Sequence, residues 1–118
     1  MERILKITIG ADWQAAIRSR FTQAMETGAY VGESINFQSP ALFFSKLSDN
    51  RWNMVNALQG EGAVGVRELA RRLGRDVKRV HEDAAALVEL GLVEKTDSGA
   101  LLSPYADIHV DLHLRRAA

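Results

Sequence analysis

A chain of 118 residues, 47% of them apolar and 25% charged, has the length and make-up of one compact globular domain or a small domain with an extension. Fifteen Lys and Arg balance fifteen Asp and Glu, which excludes a polycation that coats nucleic acid indiscriminately, and the absence of cysteine excludes a disulfide framework or a thiolate metal site. No run approaches the ~20 apolar residues of a membrane-spanning helix, and the first residues carry no apolar leader, so a cytoplasmic protein without a signal peptide is expected.

Residues 3–9 alternate, with Leu5, Ile7 and Ile9 on one face and Ile4, Lys6 and Thr8 on the other, the rhythm of a half-buried strand. Gly10 breaks it. Asp12 stands where it can cap a helix whose apolar stripe is Trp13, Ala16, Ile17, Phe21, Ala24 and Met25, ended by Gly28. Val31, Glu33, Ile35 and Phe37 then oppose Gly32, Ser34, Asn36 and Gln38 as a second strand. Ser39 and Pro40 supply a cap and a first-turn proline for a short helix bearing Leu42, Phe43, Phe44 and Leu47.

Ser48 or Asp49 caps a further helix with Trp52, Val55 and Leu58 on one face, closed by the glycines at 60 and 62. Two amphipathic helices follow: Val66 to Leu73, stopped by Gly74, and Val77 to Leu90, capped by Asp76. Leu92 and Val93 lead into a hairpin turning at Asp97, Ser98 and Gly99. Pro104 predicts a break or an edge before a last strand, in which Ile108, Val110, Leu112 and Leu114 alternate with Asp107, His109, Asp111 and His113.

The expected architecture is α+β: a winged helix-turn-helix over 48–118, with an N-terminal strand-helix-strand and short helix over 1–47 as a dimerisation or partner-binding element. Two helices three residues apart cross steeply, and the second can enter a major groove. Charge points the same way. Between Arg67 and Arg79 stand six cations (Arg67, Arg71, Arg72, Arg75, Lys78, Arg79) and two carboxylates (Glu68, Asp76), a local +4 in a neutral chain. With Leu69, Ala70, Leu73, Val80, Ala84, Leu87 and Val88 assigned to the core, Val77, Lys78, Arg79, His81 and Glu82 are left facing outward. Arg79 or Lys78 can pair with guanine O6 and N7, while Arg71, Arg72 and Arg75 suit phosphates. Glu82 and Asp83 repel phosphate unless they accept from cytosine or orient an arginine. The hairpin carries only Lys95 as a cation, beside Glu94 and Asp97, and is expected to be mainly structural, with at most one phosphate contact from Lys95.

From about Asp49 to Tyr105, the residues Val66-Arg67-Glu68-Leu69-Ala70, Leu73-Gly74-Arg75-Asp76-Val77, Val80-His81, Asp83, Leu87, Leu90-Gly91-Leu92-Val93 and Pro104-Tyr105 resemble prokaryotic winged-helix regulators of the MarR-like type, nearest to predicted transcriptional regulators of the antitoxin kind. The resemblance covers about half the chain. It implies sequence-selective binding of double-stranded DNA as a homodimer, repression of a nearby promoter or antitoxin-like autoregulation, and a cognate toxin as a further partner. Gly65 stands where such regulators often carry Ser or Thr as a helix cap. The rival expectation is a winged helix that docks on an acidic partner or toxin without touching DNA, with the aromatic residues of the first half as an interaction surface.

No enzyme, metal or cofactor is expected. There is no nucleophile elbow, Walker loop or dinucleotide fingerprint, and Gly60-Glu61-Gly62 reads as a turn. His109 and His113 share a strand face with Asp107 and Asp111, but four residues of extended strand separate them by about 13 Å, too far for one zinc ion.

Overall fold

The computed structural model describes residues 2–10, 18, 22, 25 and 32–112. The fold is α+β. The strands among the described residues are β1 (Arg3–Ile9), β2 (Glu33–Phe37), β3 (Glu94–Lys95), β4 (Leu101–Leu102) and β5 (Tyr105–Leu112); the helices described over their full length are α1 (Pro40–Lys46), α2 (Asp49–Leu58), α3 (Val66–Leu73) and α4 (Val77–Leu90). The chain divides into two compact units, 1–45 with 107–118, and 46–106.

In the first unit the strands lie in the order β2-β1-β5. β1 and β2 run parallel, with Leu5 opposite Glu33, Ile7 opposite Ile35 and Ile9 opposite Phe37. Parallel neighbours need a crossover, and residues 10–32 provide one. Arg18, Thr22 and Met25 are helical; the rest of the helix expected there lies outside the described residues. Leu5, Ile7 and Ile9 are almost wholly buried together with Phe37, against which the Phe43 ring of α1 packs edge-on at 5.2 Å. The opposite face is polar, with Thr8 Oγ1 donating to Asn36 Oδ1 at 2.9 Å and Lys6 paired with Asp111 of β5 at 3.6 Å. α1 starts where its cap predicts, the Leu42 N–H donating to Ser39 Oγ at 3.1 Å.

In the second unit α2, α3 and α4 touch pairwise. β3 and β4 form an antiparallel hairpin, Lys95 opposite Leu101. Val64 exchanges both backbone hydrogen bonds with Leu101 on the other side, at 2.8 and 2.7 Å. The core joins Leu47, Met54, Val55 and Leu58 to Leu69, Val80, Ala84 and Leu87, and is closed by Leu92, Val93, Leu101 and Tyr105. Leu73 and Val88 are only partly covered.

One boundary differs from the sequence reading, which placed all of 48–118 in one module. Residues 107–112 join the first unit because β5 takes its place beside β1. Alternation marks a strand but does not name its neighbour. Among the described residues no helix is long and apolar enough to cross a membrane.

Candidate nucleic-acid interface

The geometry of the basic run is set at the turn between α3 and α4. Gly74 adopts φ 65° and ψ 34°, a left-handed conformation that glycine tolerates without a Cβ clash. The Arg75 N–H reaches back to the Ala70 carbonyl at 3.0 Å, closing α3. Two residues later Asp76 opens α4, its carboxylate accepting the Arg79 N–H at 3.3 Å. Val80, Ala84 and Leu87 face inward. That phase turns Val77, Lys78, Arg79, His81 and Glu82 outward, and all five are exposed.

The cations sort into two classes. Arg67, Lys78, Arg79 and Lys95 are exposed and make no ion pair with any described residue. Arg71 and Arg72 are also exposed, but both donate to Glu68 one turn earlier, Arg72 Nε at 3.1 Å. Hydrogen bonds from these two arginines hold the Glu68 carboxyl at a pKa of about 2 and raise that of Arg71. Arg72 lies within 3.9 Å of Glu61 as well.

Arg75 departs from the outward placement expected of it. Its side chain is 21% exposed; Nη2 donates to Asp83 Oδ2 at 2.7 Å and Nη1 lies 3.6 Å from the Met54 sulfur. The other Asp83 oxygen accepts from Arg51 Nε at 3.1 Å, and Arg51 Nη1 donates to the Lys46 carbonyl at 2.7 Å. Burial alone raises the Asp83 pKa, but hydrogen bonds from Arg75 and Arg51 and their charges outweigh it and leave the carboxyl below its ordinary value. Arg75 is thus a brace joining the turn to α2 and α4. Asp83 is held inward rather than pointing at a ligand, and Arg51 was not singled out from sequence. Its spacing of 32 residues from Asp83 gives no signal.

His81 and Lys95, distant in sequence, line one groove of about 220 Å³ with Val66, Ala84, Ala85, Val88 and Leu101. The groove lies among α3, α4 and the hairpin. The hairpin's turn is held by Thr96, whose N–H and Oγ1 engage the Ala100 carbonyl and N–H at 2.8 and 3.1 Å. Over 46–106 as a whole nine Lys and Arg face nine Asp and Glu, so the basic run between Arg67 and Arg79 is offset within its own unit.

Among the described residues no group of three or more His, Cys, Asp or Glu has the arrangement of a metal site; His113 lies outside them. The model of one protein family, HVO_A0114, matches residues 46–110, more than half of the chain and the whole of the second unit. No curated protein and no solved structure matches the chain.

Proposed function

The chain belongs to the HVO_A0114 family, and we propose that its unit 46–106 is a winged helix-turn-helix that binds double-stranded DNA. In this reading α3, the turn at 74–76 and α4 are the helix-turn-helix, and the β3–β4 hairpin is the wing. The observation that carries it is the opening of α4. A capped, buried-faced helix presents Lys78, Arg79 and His81 on its exposed first turns, and the hairpin's Lys95 shares a groove with His81. Lys78 and Arg79 read base edges; Arg67 and Lys95 hold phosphates. Arg71 and Arg72 reach phosphates by exchanging Glu68 for them. Arg75 acts through the turn it braces. The biological role we infer is that of a cytoplasmic transcriptional regulator, a dimeric repressor or antitoxin-like autoregulator.

A second reading keeps the fold and changes the ligand: a module that docks on an acidic protein, a cognate toxin included. It needs fewer free cations than a duplex does, and Glu68 and Asp83 already neutralise much of the basic run. Fluorescence anisotropy with a random-sequence duplex at about 50 and about 200 mM salt separates the two, since phosphate contacts release counterions and lose affinity steeply over that range. Salt-sensitive binding, followed by selection of a defined site, supports the DNA reading. No binding at the lower salt removes it.

A further inference from the structure

We propose that the outer edge of β5 is the seat of a homodimer, in which two copies pair antiparallel with Val110 opposite its counterpart. This names a surface for the dimer of the DNA reading, although neither the pairing nor its test needs DNA.

β5 ends the order β2-β1-β5, so its far edge has no neighbouring strand among the described residues. Natural sheets guard such edges with charged side chains, Lys above all, with Pro or with a bulge; Tyr105–Leu112 contains no Lys, Arg, Pro or Gly, and of its two carboxylates Asp111 already pairs with Lys6. Its eight residues make it the longest strand described. The side chains are also arranged for pairing. The Lys6–Asp111 contact places Asp111, and with it His109, on the polar face of the sheet. Ile108, Val110 and Leu112 therefore continue the face on which Leu5, Ile7 and Ile9 are buried. There the cover gives out: Val110 is 39% and Leu112 36% exposed. An apolar row is left at the rim of a core.

The sequence of β5 is complementary to itself in one register. Pairing that sets odd against even positions would lay the apolar row of one copy beside the polar row of the other. Of the remaining registers, a two-fold axis at His109 sets Asp107 against Asp111, and an axis at Asp107 or at Asp111 sets two carboxylates together. An axis at Ile108 leaves Leu112 beyond the paired stretch. An axis at Val110 sets Ile108 against Leu112, Val110 against Val110 and His109 against Asp111, so that every cross-strand pair is apolar with apolar or carboxylate with imidazole. Asp111 then lies between Lys6 of its own chain and His109 of the second copy. The three-stranded sheet becomes a continuous six-stranded one.

The test uses the full chain without DNA. Sedimentation at tens of micromolar is expected to give a dimer, and Val110→Asp, which brings two carboxylates together on the axis, a monomer with the circular dichroism of the parent and a melting temperature that, unlike the parent's, does not depend on protein concentration. The register is read separately. Because the chain has no cysteine, Val110→Cys introduces a single thiol per chain. Residues directly opposite have Cβ atoms ~4.5–5.5 Å apart, which a disulfide needs only slight adjustment to span. Ile108→Cys thiols would be four residues out of register, about 13 Å apart. Oxidation should therefore cross-link Val110→Cys and leave Ile108→Cys monomeric on a non-reducing gel. A monomeric parent, a Val110→Asp variant that still dimerises, or equal cross-linking of the two cysteine variants overturns the proposal. A dimer that ignores duplex leaves it standing and removes only the DNA reading.

Discussion

Asp83 ties α2 and the inter-helix turn to α4. One carboxylate, 18% exposed, fixes Arg75 at the inter-helix turn and Arg51 on α2. Breaking a fully buried pair costs ~3–5 kcal/mol and an exposed one under ~1. Asp83→Asn should therefore lower stability by about 2 kcal/mol in urea unfolding, while Arg75→Met, which keeps the stem beside Met54, should cost less. The pH dependence has a definite sign. Its folded pKa is depressed below 3.8, so Asp83 contributes stability above that value and loses it as pH falls through the lower, folded one. Acid unfolding of Asp83→Asn should consequently be shallower below about pH 4 than that of the parent. Glu68 is different because its side chain is 39% exposed, against 18% for Asp83. Glu68→Gln should leave the melting temperature little changed, yet on the DNA reading it frees Arg71 and Arg72, raises duplex affinity and steepens its salt dependence. Arg79→Ala should instead cost about 1–3 kcal/mol of specific affinity and relax selectivity at one base position. Equal binding by parent and Arg79→Ala would take α4 out of the groove.

At the scale of the element, helix ends follow from a few residues with strong local reasons. The side chains of Ser48 and Asp76 accept first-turn N–H groups of α2 and α4, and Gly74 and Gly91 end α3 and α4 in left-handed conformations. Asp76→Ala should cost about 1 kcal/mol by loss of the cap. Gly74→Ala should cost a similar amount for another reason: a Cβ there meets nothing within 4 Å, so only the positive φ opposes it. Comparison of the two by thermal unfolding checks both. These local rules are why α2, α3 and α4 are legible from sequence, along with the exposure of Val77 to Arg79. Three things are not. The parallel pairing of β1 with β2 and the docking of β5 beside β1 depend on residues far apart in the chain. The inward turn of Arg75 depends on Asp83 and Met54 being delivered to it by other elements, which a basic residue at a helix end does not announce. The hairpin is legible at its glycine but not in its extent, since β3 and β4 are only two residues each.

At the scale of the whole molecule, both units are electrically balanced: nine cations against nine carboxylates over 46–106, and six against six in the remainder. The +4 between Arg67 and Arg79 is thus a local excess in a neutral chain, reduced further by the Arg75–Asp83 pair. A local excess of charge is felt by a line of phosphates less far than a net charge is, and beyond the ~8 Å screening length of physiological salt the attraction is almost extinguished. On the DNA reading, the field turns the basic end toward the duplex only during the last few ångströms of approach. Contacts with arbitrary sequence are then made only on collision, and they hold at low salt far better than at physiological salt. A protein that binds DNA this way searches by repeated collision rather than by long sliding, and at physiological salt it leaves wrong sites quickly.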